Sequence, residues 1–170
     1  MAEVYFIDVA VLKEQSLIDN NVDNKLLLPT LVKVQDLYLQ AILGTPLFED
    51  LQTKITADPT LAGNANELLL MNKYIKKVLI YYVCMHTPAA LKYRLMNKGA
   101  MVKSSDNAQA AEASELKVVK DDFRIDAEGY AELLTKYLKA NTTLFPLYDD
   151  NTETGMNALG TNYTTGIDLS

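Results

Sequence analysis

A chain of 170 residues, 49% hydrophobic and 22% charged, has the make-up of one globular domain large enough to bury a real core. Its 16 basic residues against 22 acidic ones give a net charge of -6, which argues against a basic nucleic-acid patch, because affinity for phosphate is carried by Lys and Arg. The single cysteine, Cys84, excludes an internal disulfide. The longest apolar runs fall short of the roughly 20 residues that span a bilayer, and no basic leader follows Met1, so the expectation is a chain made in the cytoplasm with no membrane partner.

Glu3 to Leu12 is a short run rich in Val, Ile and aromatics, which reads as a strand or an extended arm. Asp19-Asn20-Asn21 is turn chemistry, and Asp23 or Asn24 can cap a helical turn running to Pro29. From Pro29 a helix is expected with Leu31, Val34, Tyr38, Ala41 and Ile42 on one face and Gly44 as its C-terminal stop. Thr45 then caps a further helix with Pro46 at its first position, carrying Leu47, Phe48, Leu51 and Ile55. Asp58 to Gly63 is a loop.

Asn64 to His86 reads as one long helix, opened by a capping box between Asn64 and Glu67. Its first half keeps a polar stripe of Asn72, Lys73, Lys76 and Lys77. Val78 to Met85 is apolar all round and requires neighbours on every side, from the same chain or from another copy. Thr87-Pro88 predicts a kink or restart, followed by a shorter helix through Leu91 and Leu95. Lys98 to Ala113 is a polar link in which Met101-Val102 is an exposed apolar pair. From Ser114 a second long helix reaches about Ala140, with Leu116, Val119, Phe123, Ala127, Tyr130, Leu134 and Tyr137 recurring at spacings of three and four. Gly129 inside it costs about 1 kcal/mol relative to alanine. After Phe145-Pro146-Leu147-Tyr148 the chain turns Asn, Thr and Gly rich, with Asp149, Asp150, Glu153 and Asp168 but no Lys or Arg. By composition alone that is a mobile acidic tail, and a neighbouring subunit is expected to hold it as an extended arm. The fold class expected is therefore mainly α: a helical bundle with two long helices and extended N- and C-terminal arms, divided as 1–148 and 149–170.

Residues that carry chemistry are sparse. His86 is the only histidine, which excludes a zinc site of several histidines, and Cys84, two positions away, points to a different face. A packed histidine and a buried structural thiol are expected rather than a catalytic dyad. Asp149, Asn151 and Glu153 with Gly155 lack the glycine and terminal glutamate of a calcium loop. Asp121-Asp122 and Asp126 to Glu128 read as a solvated helix face, and Tyr81-Tyr82 and Tyr93 as core or subunit contacts rather than a base-stacking platform. The expectation is a protein that is not an enzyme, with no catalytic, cofactor or metal residues. Its candidate subunit or partner contacts are Met101, Val102, Phe145, Tyr148, Met156 and Tyr163.

Residues 22–52 (VDNKLLLPTLVKVQDLYLQAILGTPLFEDLQ), the long apolar helix, the NKGAMVKSSDNAQAA link and the closing TKYLKANTTLFPLY together resemble the head-completion or ring proteins of tailed bacteriophages, particularly those of crAss-like phages. The likeness spans about residues 15–148. Its markers are Gln35-Asp36, Leu43-Gly44-Thr45, Lys98-Gly99, Tyr137-Leu138 and Phe145-Pro146. The resemblance implies a structural virion protein: a helical subunit forming a ring, commonly of twelve copies, in the neck between portal and tail. Its partners would be further copies, the portal protein and other neck or tail proteins, and DNA would pass through without sequence-specific binding. A second expectation, independent of the resemblance, is a small helical adaptor or regulator that binds one partner protein.

Overall fold

The computed structural model describes residues 4–96, 99–102 and 113–148, with side chains for 4–88 and 114–148. The fold is mainly α. Val4 to Asp8 leads into α1 (Val9–Glu14), whose N-terminus is capped by the Asp8 carboxylate accepting from the Ala10 N–H at 2.6 Å. Phe6, Ile7, Val9 and Leu12 are all buried, and the Phe6 ring lies 5.0 Å from that of Phe48. The expected N-terminal strand or arm is thus a capped helix with a core-packed lead. A short apolar run does not by its spacing separate strand from helix, and here an aspartate inside the run supplied the cap.

Asn24 to Leu43 forms one continuous helix in three parts: α2 (Asn24–Val34), a π-helical turn (Gln35–Leu39) and α3 (Gln40–Leu43). Asp23 caps it, and Pro29 sits inside it rather than at a new start. In the π turn the Gln40 N–H donates to the Gln35 carbonyl, one residue further back than in an α-helix. Gln35 itself, four residues from Leu31 and eight from Leu27, continues the buried face of α2 into the core. There its Oε1 accepts from the Phe6 N–H at 2.9 Å and its Nε2 donates to the Val4 carbonyl at 3.1 Å, which fastens the N-terminal lead. By length and composition this helix is long and apolar enough to cross a membrane, because few charged residues interrupt it even though no single apolar run is long. In the fold its Leu27, Leu31, Val34, Leu39, Ile42 and Leu43 belong to the core.

Gly44 makes the corner to α4 (Thr45–Ala57) in a single residue, at φ 76° and ψ 153°, a backbone region open essentially to glycine. Gly44, not Thr45, therefore occupies the cap position, with Pro46 in the first turn as expected. The next helix again has three parts: α5 (Ala65–Leu70), a π turn (Met71–Ile75) and α6 (Lys76–Lys92). The expected capping box is absent, since Asn64 makes no side-chain cap bond and Glu67 instead accepts from Lys54 at 2.5 Å. Burial pushes the Glu67 carboxyl up, but the Lys54 hydrogen bond outweighs it and the net shift is downward. An ion pair to the adjacent helix has won over the local cap.

α6 continues through Pro88 to Lys92 where a kink or restart was expected. Proline removes one backbone donor, but Thr87 beside it is buried and its hydroxyl donates to the Val83 carbonyl at 2.7 Å, so packing holds the helix over the gap. In place of a further short helix, β1 (Tyr93–Met96) pairs antiparallel with β2 (Gly99–Val102), Tyr93 opposite Val102 and Met96 opposite Gly99. The last long element, α7 (Ala113–Ala140), matches its expected span. It is followed by a single 3-10 turn, Pro146–Tyr148.

The core forms where α6 is sandwiched between α2 and α7. Val78, Leu79, Ile80, Tyr82, Val83, Cys84 and Met85 are buried and Tyr81 is half-buried. The all-apolar section of the central helix therefore finds its neighbours within one chain. Stacked tyrosines fix the α6–α7 register, Tyr74 on Tyr137 at 4.4 Å and Tyr81 on Tyr130 at 4.8 Å, while Tyr38 stacks on Tyr82 at 4.3 Å. The tyrosines of the central helix thus serve internal packing.

Candidate functional site

A helix that packs on one side should be polar on the other, and α7 departs from this. Ala127, Leu134 and Leu138 are buried against the core. On the far side, Val118, Ile125 and Leu133 are 61%, 63% and 51% exposed. At about 100° per residue these three share one stripe, with Gly129 between Ile125 and Leu133. A Cβ built at Gly129 would meet nothing. Within one chain, then, alanine would serve better there by about 1 kcal/mol, and a flat spot on an apolar stripe is what lets another surface approach closely. Asp122 and Lys136 stand on the same angular face, Asp122 between Val118 and Ile125 and Lys136 beyond Leu133, so the stripe is mixed; Glu132 borders it and pairs with Lys136 at 2.6 Å.

The second feature is polar. Lys33 on α2 brings Nζ to 3.0 Å from His86 Nδ1, and His86 Nε2 lies 3.0 Å from the Tyr38 hydroxyl. An ammonium can only donate, so Nδ1 must accept and Nε2 carries the ring proton, which it donates to Tyr38. Burial, then the charges of Lys33 and Lys120, push His86 down to about 4. Burial and the Lys120 charge lower Lys33 as well. His86 is thus a neutral, half-buried link between α6 and the Asn24–Leu43 helix. Cys84 lies apart from it, buried, with its thiol pushed up by desolvation.

This fixes a pH dependence. Unfolded histidine titrates near about 6.5, and the folded ring titrates at about 4. Between those values the unfolded chain binds a proton that the folded chain refuses, so stability falls as pH drops from about 6.5 towards about 4. For a half-exposed, solvent-screened ring the expected loss is about 1 kcal/mol. Urea midpoints at pH 7.5 and pH 4.5, compared with those of His86→Gln, check this: the variant should lack that part of the slope.

A third feature is a groove of about 610 Å³ lined by Phe6, Ile7, Leu28, Ile55 and Met71, with Lys76 among its polar groups. Its size lies in the range of small-ligand pockets. Among the described residues, no three His, Cys, Asp or Glu side chains are placed to hold a metal ion.

The contacts expected from sequence fare unequally. Phe145 and Tyr148 are buried in the chain's own core, because the turn after α7 folds back and brings the Phe145 ring to 6.1 Å from Tyr137. They are corrected from surface contacts to core residues. Met101 and Val102 lie on β2. Met156 and Tyr163, with the whole of 149–170, lie outside the described residues. The α7 stripe was missed, although its spacing of seven and eight residues was present in the sequence beside the stronger core pattern. The Lys33, Tyr38 and His86 cluster leaves no local signal, since its members meet only through packing.

No curated protein and no solved structure matches the chain. A family model matches residues 39–157, most of the chain, and the chain accordingly belongs to a family of unknown function, DUF6712.

Proposed function

We propose that the protein is a structural subunit of a tailed-phage virion: a homo-oligomeric ring in the neck, between portal and tail, whose channel lets DNA pass. The observation that carries self-association is the outward stripe of Val118, Ile125 and Leu133 around Gly129. One copy leaves it in water, and repeated contact of this face with a different face of the next copy closes into a ring when the rotation permits. The resemblance of residues 15–148 to ring proteins supplies the location, the portal and neck partners and the count of twelve. A net charge of -6 suits a wall past which DNA slides without adhering.

A second reading uses the same stripe to seat one helix of a single partner protein, which would make the chain an adaptor. Substituting Ile125→Glu together with Leu133→Glu distinguishes the contact from the fold. Both side chains are exposed, so circular dichroism and the melting temperature should stay near wild type while multimers dissociate in sedimentation velocity. Multimers that persist in the double variant would show that the α7 stripe is not the subunit contact.

A further inference from the structure

Three basic groups on three helices converge at one corner of the bundle. Lys33 of α2 touches His86 of α6 at 3.0 Å, and the charge of Lys120 on α7 acts on both. The other groups packed there, Tyr38 and its stacking partner Tyr82, bring no negative charge. Among the described residues, the ion pairs lie elsewhere: Lys54 with Asp50 and Glu67, Arg124 with Asp121, and Lys136 with Glu132. No described carboxylate neutralises either lysine of the corner. In a chain with 22 acidic residues against 16 basic ones, this is an unusual arrangement. Two ammonium groups that repel each other, around a histidine that burial and then their charges keep neutral, gain from any anion that settles between them.

The uncompensated negative charge of the same chain is concentrated after α7. Asp149, Asp150, Glu153 and Asp168 follow Lys139 with no further Lys or Arg. We propose that Asp149 and Asp150 of one copy place their carboxylates on the Lys33, His86 and Lys120 corner of the adjacent copy, linking neighbours in the assembly. The inference rests on the self-association proposed above.

Geometry selects the adjacent copy over the same one. α6 and α7 run antiparallel, as the pairing of Tyr74 with Tyr137 and Tyr81 with Tyr130 requires. Phe145 folds back against Tyr137, so the described chain ends, at Tyr148, close to that level of the bundle. From Tyr137 to Lys120 is about 26 Å along the helix at about 1.5 Å per residue. Asp149 and Asp150 follow Tyr148 at once, and an extended residue advances only about 3.4 Å. These two carboxylates are therefore too close to their own anchor to reach their own corner, whereas a neighbour's corner can be set beside them.

The test is carbodiimide cross-linking of the full-length protein, which joins a carboxylate to a lysine amine without a spacer, in an equal mixture of nitrogen-14 and nitrogen-15 chains. Mass spectrometry should find Asp149 or Asp150 joined to Lys33 or Lys120 in peptides of mixed isotope. Lys33→Gln with Lys120→Gln should weaken assembly about tenfold, as loss of two charge contacts implies. Lys33→Glu with Lys120→Glu should be rescued by Asp149→Lys with Asp150→Lys. Cross-links only to other lysines, or only within single-isotope peptides, would overturn the proposal, as would double-stranded DNA held by the wild type and released by the glutamine variant. Assembly of unchanged affinity in the glutamine variant would also overturn it and leave the ring reading standing. A wild type that is monomeric at every concentration removes the ring reading itself.

Discussion

Val83→Asp should leave the subunit unfolded at room temperature. Val83 is fully buried in the part of α6 that α2 and α7 enclose, and Leu79, Ile80, Cys84 and Thr87 beside it on the helix are buried too. A carboxylate placed there meets no partner. It must either stay charged in an apolar interior or take up a proton and still lack hydrogen bonds, at a cost of about 4 kcal/mol or more. Small domains hold only about 5–15 kcal/mol in total. Loss of the cooperative melting transition is the expected readout, and Val83→Ala, which only removes methyl groups, should melt lower but still cooperatively. A Val83→Asp protein with a wild-type transition would contradict the sandwich of α2, α6 and α7.

Gln35→Ala is the second large effect, and it acts at a distance in sequence. The side chain is almost fully buried and holds the Phe6 N–H and the Val4 carbonyl. Removing it leaves two backbone groups without their partners and a cavity where the amide stood, for about 3 kcal/mol. The loss should be visible as rapid hydrogen exchange at Phe6 and as a lower urea midpoint, while α7 keeps its exchange protection. Gln35→Glu should rescue only in part, since a carboxylate can accept from Phe6 but cannot donate to Val4. Unchanged exchange at Phe6 in the alanine variant would show that the lead is held by its apolar side chains alone.

How far the sequence reveals this fold depends on whether a feature is local. The span of α7, the corner at Gly44, the Asp23 cap and the buried thiol of Cys84 all follow from short-range patterns, and all are present. The failures lie where tertiary contacts override local preference. Glu67 leaves its cap for Lys54 on another helix. Pro88 stays inside α6 because buried neighbours outweigh one missing donor. The two π turns, at Gln35–Leu39 and Met71–Ile75, add a residue each, and no spacing rule built on a constant period anticipates them. The candidate site was less legible than the fold. Phe145 and Tyr148 looked like contacts because they stand beside a polar tail, yet the turn after Ala140 carries them inward. Val118, Ile125 and Leu133 were hidden by the stronger stripe on the opposite side of the same helix.

One consequence follows for the proposed assembly. The all-apolar stretch Val78 to Met85 is covered by its own chain, so the proposed association rests instead on the weaker, mixed surface of α7 and on charge contacts. An interface of that kind responds to concentration and salt. The most direct test is the native mass of the purified full-length chain at low ionic strength, measured over a range of concentrations. The account predicts a closed multimer, with the mass of twelve 18.9 kDa chains as the expected species, dissociating as salt is raised. A single 18.9 kDa particle at every concentration and salt would contradict it.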